Sequence, residues 1–120
     1  CYGGMLPHAE AAAERLFDEH DLAVEVIAPV RLYPFDPAPL FESVAVTRRL
    51  LVAEEGLGFA AFGAEAASSL VEFGLPAPGF QLRRAACHPH PVPSAAPLEK
   101  AALPGADHII SAALEFHYGE

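Results

Sequence analysis

The chain has 120 residues, 52% of them hydrophobic, which is one domain's worth and enough for a single core. Its 7 basic and 16 acidic residues give a net charge of −9, the wrong sign for attraction to a nucleic-acid backbone or an anionic membrane. Two cysteines form no disulfide framework, and no apolar run is long enough to span a bilayer. We therefore expect a cytoplasmic protein without nucleic-acid or membrane partners.

The first half of the chain alternates helical and strand patterns. Residues 6–20 have proline early and an apolar stripe at helical spacing, which predicts a helix with its inward residues at Leu6, Ala9, Ala13, Leu16 and Phe17. Residues 22–29, "LAVEVIAP", are short and apolar except for Glu25, which predicts a strand covered on both faces. After a proline-rich connection, "PLFESVAVT" predicts a short helix with Leu40, Phe41 and Val44 inward.

The second half continues the alternation. "RLLVAEE" predicts a second buried strand, "FGAEAASSLVEFG" a helix ending at Gly74, and "GFQLRRAAC" a third strand. The four prolines of "HPHPVPSAAPLEK" argue against regular structure there, and "ADHIISAALEFH" predicts a last helix with inward Ile109, Ile110, Ala113 and Leu114. Strands alternating with helices favour parallel pairing and a three-layer α/β sandwich.

Two short motifs are candidates for ligand chemistry. "YGGM" opens a helix but lacks the spacing of a phosphate-binding loop, so it predicts only a tight turn. "CHPHP" offers Cys87, His88 and His90 as metal ligands, whereas a closed zinc site needs a fourth ligand. The other four histidines have no partner at helical spacing, and nothing supplies a base for Cys87 as a nucleophile. A solvated proline-rich loop is the alternative.

Glu54 and Glu55 end a predicted strand, which is where α/β sheets usually bind ligands. Carboxylates at strand ends also accept hydrogen bonds from neighbouring amides and from helix N-termini. The residues after the pair, "GFAAFG", would supply such amides. Both a structural role and contact with a ligand or subunit remain open from the pattern alone.

Taken in order, the segments "YGG", "EVIAPVRLYPFD", "SVAVTRRLLVAEE", "FGAE" and "PVPSAAPLEKAALP" resemble the C-terminal domain of transketolase-like thiamine-diphosphate enzymes. The most similar branch is the beta subunit of the pyruvate and branched-chain 2-oxo acid dehydrogenases. The resemblance covers residues 2–116. The order and spacing of the segments carry it, since each motif alone is weak.

The resemblance implies a single Rossmann-like domain over residues 1–120, with a mostly parallel sheet and one antiparallel edge strand, used for subunit packing. In the family, thiamine diphosphate and Mg²⁺ are held by other domains, so no catalytic, cofactor-binding or metal-binding residue is expected here. The parent oxidoreductase decarboxylates a 2-oxo acid and transfers the acyl group to a lipoyl arm.

The resemblance also gives structural or interface roles to individual positions. Arg31, Pro34 and Asp36 match a loop after the second strand of the family fold, and Glu54 or Glu55 matches the acid that ends the next strand. Gly63 and Glu65 match the start of a helix packed closely on the sheet. The segment that wraps the domain edge is matched by Pro91, Pro93, Leu98 and Glu99.

The partners implied are an alpha subunit and a second beta subunit. Some members also hold a basic docking domain of the lipoyl acyltransferase core with acids near the corner before the last long strand. Here that corner is "GLPAPG", which contains no acid, so Glu115 and Glu120 would have to substitute.

Two alternatives stay open, a C-terminal domain of transketolase or deoxyxylulose-phosphate synthase and a stand-alone ligand- or metal-binding module. The abrupt start at "CYGG" predicts a fragment of a longer chain in which Cys1 and Tyr2 are all that remains of an interior strand. Such a sheet would have unpaired edges, so we expect self-association or marginal stability.

Overall fold

A computed structural model describes residues 1–76 and 78–119. A single 3₁₀ turn, Gly3–Met5, leads into the regular elements, which are in chain order α1 (Leu6–His20), α2 (Ala38–Thr47), β1 (Arg49–Leu57), α3 (Phe62–Glu72), β2 (Gln81–Cys87), α4 (Ala96–Ala102) and α5 (Ala106–Tyr118). No helix in the described ranges has both the length and the apolar character needed to cross a membrane.

The sheet of the described residues consists of β1 and β2, which run parallel. Their register extends from Arg49 opposite Gln81 to Ala53 opposite Ala85, and it becomes irregular before Leu57 meets Cys87. The connection between the strands passes through α3. It is a strand, helix, strand unit of the kind that produces parallel pairing.

Successive residues of β1 point to opposite faces, and each face packs on helices. On one face, Leu50 and Val52 join a cluster with Val44 of α2, Leu70 of α3 and Leu75. On the other face, Ala53 and Ala85 join a second cluster with residues of α1 and α5, namely Met5, Ala9, Ala12, Leu16, Ile109 and Ile110. The expected three-layer α/β sandwich is therefore confirmed.

Three of the predicted helices are confirmed with small differences. Helix α3 is followed by Gly74 at φ +113°, a left-handed conformation that glycine adopts without steric cost. In α5, Ile109 and Ile110 are buried as predicted. In α1 the prediction for Phe17 is wrong, since this side chain is 59% exposed and the buried stripe runs instead through Ala9, Ala12 and Leu16.

The strand predicted over residues 22–29 is not formed. A cavity separates this segment from β1, so it has no neighbouring strand with which to form a ladder. The Cys1 nitrogen, which donates to the Ile27 carbonyl oxygen at 3.1 Å, makes one hydrogen bond to it. For the same reason no antiparallel edge strand forms among the described residues, whose sheet ends at β1 and β2.

Helix α4 lies inside the proline-rich segment that was predicted to be irregular. Pro97 occupies its first turn, where the missing N–H would have no partner within the helix in any case. Because none of its residues is buried, α4 stays at the surface of the domain.

Candidate functional site

Glu54 is the last buried residue of β1, and its side chain is fully enclosed. Its Oε2 accepts hydrogen bonds from the Tyr2 hydroxyl at 2.9 Å and from the Gly63 backbone N–H at 3.1 Å. Gly63 lies in the first turn of α3, where the helix dipole favours a negative charge. One carboxylate thus joins the N-terminal turn, the end of β1 and the start of α3, and we call this arrangement the Glu54 junction.

Gly63 allows the close approach on which the Glu54 junction depends. A Cβ atom at this position would lie 2.6 Å from Val52 Cγ1 and 2.7 Å from Glu54 Oε1. Both distances are shorter than a van der Waals contact, so a larger residue would push α3 away from β1. The constraint is steric and does not come from an unusual backbone conformation. The predicted close packing of this helix on the sheet is the observed arrangement.

The charge of the acids acts on Tyr2. Burial raises the pKa of its hydroxyl from 10.0 to about 12, and the hydrogen bond to Glu54 and the negative charges of Glu54 and Glu55 add to the increase. The neutral hydroxyl is therefore the form present at physiological pH, and it can act as the donor that Glu54 requires. Glu54 Oε1 has no hydrogen-bond partner among the described residues.

The two adjacent glutamates do not form a catalytic pair. They occupy successive strand positions and therefore point to opposite faces of the sheet. Glu54 faces α3, whereas the exposed Glu55 carboxylate lies directly against Gly4, where it would meet any added Cβ. General acid and base catalysis needs groups that converge on one reacting atom, and these two diverge.

Phe62 extends the Glu54 junction to the proline-rich loop that precedes α2. Its ring makes edge-on contacts with Tyr2 at 5.4 Å and with Phe35 at 5.2 Å between ring centroids. Such perpendicular pairs are stabilising beyond the area that they bury. Tyr2, Phe35 and Phe62 were not among the residues singled out from sequence. Only their aromatic character close to motif positions could have drawn attention to them.

The loops that meet at Phe35 and Phe62 carry exposed apolar side chains. Tyr33 is 93% exposed and Phe59 is 81% exposed. Together with their neighbours these side chains form what we call the carboxyl-edge surface: Val30, Leu32, Tyr33, Leu57 and Phe59. Contiguous apolar surface of this kind is typical of interaction sites.

The other predicted residues do not gather at the Glu54 junction. Asp36 Oδ1 accepts a hydrogen bond from the Ala38 N–H at 3.0 Å and so shapes the start of α2, while Arg31 is exposed. Glu65 is exposed in the first turn of α3. On the far side of β2, Pro91 and Glu99 are exposed and Pro93 is half-buried. Their assignment to an interface stays a prediction.

The metal-binding alternative fails on the positions of its ligands. Cys87 is buried, and the exposed His88 and His90 rings stack with their centroids 6.0 Å apart. Within residues 1–76 and 78–119, no three His, Cys, Asp or Glu side chains are grouped closely enough to hold a metal ion. The "CHPHP" motif is therefore a proline-rich loop in this part of the chain.

The described residues also do not fit thiamine diphosphate with Mg²⁺. A diphosphate would need free N–H groups at a helix N-terminus, but at α3 the Gly63 N–H already donates to Glu54. The fixed negative charge of Glu54 at that position would repel a phosphate. Magnesium needs several oxygen ligands, and no such cluster of acids occurs in the described ranges.

These features define a class of protein, a three-layer parallel α/β domain in which the acid at the strand end secures a helix. The chain belongs to the family described as transketolase, C-terminal domain, which matches residues 1–109. The resemblance inferred from the motifs is thereby confirmed.

Curated relatives place the chain near one branch of this family. It is 38% identical to the pyruvate dehydrogenase E1 component subunit beta of Leifsonia xyli over 112 residues, which is 91% of this chain and 32% of the relative. It is 36% identical to the mitochondrial subunit beta-1 of Oryza sativa, covering 93% of this chain and 30% of the relative. The chain spans about a third of the length of these relatives.

We predict that Gly63→Ala lowers the free energy of unfolding by about 1 to 3 kcal/mol, because its methyl group overlaps Val52 and Glu54. Gly56→Ala is the matched control, since a Cβ at Gly56 meets nothing within 4 Å. Urea denaturation measures both. Equal stabilities of the two variants would contradict the steric role given to Gly63.

We predict that Tyr2→Phe costs about 1.5 to 3 kcal/mol at pH 8, the range for a hydrogen bond to a charged group. The pKa of Tyr2 is raised in the folded protein, so its contribution is complete below pH 10 and falls as the pH rises towards 12. The difference between the wild type and Tyr2→Phe should therefore shrink at pH 11.

Tyr33→Phe is the control for this measurement, because the Tyr33 side chain is almost fully exposed. Its free energy of unfolding should match that of the wild type to within about 0.5 kcal/mol at both pH values. A Tyr2→Phe variant as stable as Tyr33→Phe would show that the hydroxyl does not hold Glu54.

Proposed function

We propose that this chain is a non-catalytic assembly domain of the beta subunit of a thiamine-diphosphate-dependent 2-oxo acid dehydrogenase. The parent enzyme would decarboxylate a 2-oxo acid and transfer the acyl group to a lipoyl arm, as the resemblance implies. The observation that carries the proposal is the use of the strand-end acid: Glu54 is fully enclosed and bonded to Tyr2 and Gly63. Similarity to pyruvate dehydrogenase E1 beta subunits supports the choice of enzyme.

The carboxyl end of the sheet supports a packing role over a ligand-binding one. Open α/β sheets usually bind ligands in the crevice beyond their strand ends. In this domain Tyr2 and Phe62 cover that position. What the end of the sheet offers to the outside is the carboxyl-edge surface, whose aromatic and aliphatic side chains are of the kind enriched in the centres of protein interfaces.

The proposed partners are an alpha subunit and a second beta subunit, and the carboxyl-edge surface is the contact that we assign to one of them. Docking of the lipoyl acyltransferase core receives less support. Glu115, which would have to hold a basic docking domain, is already paired with Arg83 at 3.2 Å. Glu120 lies outside the described residues.

The compartment that we propose is reducing, as in the cytoplasm. Cys1 and Cys87 are both free thiols, which agrees with the absence of a disulfide framework from the sequence. The net charge of −9 disfavours nucleic-acid and membrane partners. No contact in the described residues favours transketolase or deoxyxylulose-phosphate synthase as the parent, so that alternative is not developed.

We predict that thiamine diphosphate with Mg²⁺ leaves the melting temperature of this chain unchanged, because ligands raise it only by binding the folded state. Differential scanning fluorimetry with increasing thiamine diphosphate makes the measurement, and Mg²⁺ alone is the control. A saturable rise beyond that control would contradict a non-catalytic role.

We predict that the chain self-associates through the carboxyl-edge surface and that Tyr33→Asp or Phe59→Asp weakens association by about tenfold or more, the loss expected for a central interface residue. Val46→Asp is the matched control, since it places the same charge at an apolar side chain of α2 that is 84% exposed. Sedimentation velocity over a range of concentrations gives the dissociation constants.

Two results would contradict this use of the surface. The wild type could remain a monodisperse monomer at every concentration, or Val46→Asp could weaken association as much as the other two variants. The thiamine titration is independent of both results, so an error about the surface and an error about catalysis can be told apart.

A further inference from the structure

The middle layer of the sandwich contains a cavity of about 600 Å³ between β1 and residues 22–29. Backbone and side chains of residues 49–53 form one wall, and residues 22–29 form the other. Helices close it above and below, with Leu16 and Ile109 on one side and Val44 and Ala66 on the other. We call this space the middle-layer slot. It lies in the plane of the sheet, between the two helical layers.

The wall formed by β1 is a strand edge without a partner in the described ranges. β1 pairs with β2 along one edge only, so about half of its backbone N–H and C=O groups point towards the middle-layer slot. Leu50, Val52 and Ala53 are all buried. Buried backbone polar groups are nearly always hydrogen-bonded, so this wall requires a hydrogen-bonding occupant.

The chain already enters one end of the slot in an extended conformation. Tyr2 has φ −151° and ψ 165°, and its hydroxyl is fixed to Glu54 at the carboxyl end of β1. The Cys1 nitrogen, one residue further back, donates to the carbonyl oxygen of Ile27 on the opposite wall. Cys1 therefore makes the hydrogen bond that a strand beside residues 22–29 would make.

The position of Cys1 also fixes the direction of the occupant. A segment linked to the Cys1 amino group and ending beside Glu54 must run towards the carboxyl end of β1, and so parallel to it. A strand in this position is covered by helices on both faces and needs apolar side chains on both. A small apolar ligand would fill the volume but would leave the backbone groups of β1 unpaired.

We propose that the middle-layer slot binds an extended apolar β-strand, linked to the amino end of Cys1, which pairs in parallel with β1 on one side and with residues 22–29 on the other. The sheet then gains two strands, the inserted one and the segment over 22–29 that composition already marks as a strand. This inference concerns the sheet alone and does not depend on the thiamine enzyme assigned above.

The test compares three forms of the full 120-residue chain by amide hydrogen exchange and mass spectrometry. The first is unmodified, the second carries six added residues rich in valine and isoleucine before Cys1, and the third carries a control extension of equal length in which alternate residues are proline. Proline cannot donate to a strand ladder, so the control adds apolar residues without the pairing.

We expect the valine and isoleucine extension to slow exchange of the amides in residues 22–29 and 49–53 by about tenfold or more, because pairing must open before they exchange. The proline-containing extension should leave both segments as in the unmodified chain. Equal exchange in the two extended forms would overturn the proposal.

A second arm uses the same six residues as a free peptide added to the unmodified chain, in case an extended form does not fold. Millimolar peptide should protect the same two segments, since the link to Cys1 contributes effective concentration and not the contact itself. The proposal is also overturned if the unmodified chain already protects both segments in a concentration-dependent dimer, because a second copy would then be the occupant.

Discussion

The buried carboxylate of Glu54 is the constraint on which the rest of the domain depends. A charge taken out of water must be hydrogen-bonded, and removal of one partner leaves it uncompensated. Glu54 meets this requirement with a hydroxyl from Tyr2 and an N–H from Gly63. These residues belong to three separate stretches of the chain, so satisfying one charge sets the positions of the N-terminal turn, of β1 and of α3 relative to one another. Gly63 lets the helix come close enough for this to happen.

The Glu54 junction makes the two borders of the sheet different. At the carboxyl end, the aromatic rings of Tyr2, Phe35 and Phe62 cover the strand ends, and the loops beyond them turn apolar side chains outward. Along its side, the sheet is open at the middle-layer slot. Neither border has the convergent polar groups of a catalytic centre. Both have the character of surfaces that bind polypeptide, one through side chains and the other through backbone hydrogen bonds. A domain of this kind contributes to an enzyme by holding its parts together.

Sequence predicted the features that depend on local spacing. The apolar periodicity of α5 and the glycine after α3 placed both helices well, because these patterns act within one or two turns. Residues 22–29 have the composition of a buried strand, but a strand also needs hydrogen-bonded neighbours, and composition does not reveal whether they are present. Helix α4 was missed because Pro97 stands in its first turn, where proline is tolerated. The end of β1 was recognised as a candidate site with both roles open for Glu54. The partner that decides between them, Tyr2, is 52 residues away in the chain.

The most direct test of the central claim, that Glu54 is a structural acid, is a double-mutant cycle. The free energies of unfolding of the wild type, Tyr2→Phe, Glu54→Gln and the double variant are measured by urea denaturation under one set of conditions. If the hydroxyl and the carboxylate stabilise the fold through each other, the two losses will not add, and the interaction energy will be about 1 kcal/mol or more. Losses that add to within about 0.3 kcal/mol would mean that the two side chains act independently, and the Glu54 junction would no longer account for the fold.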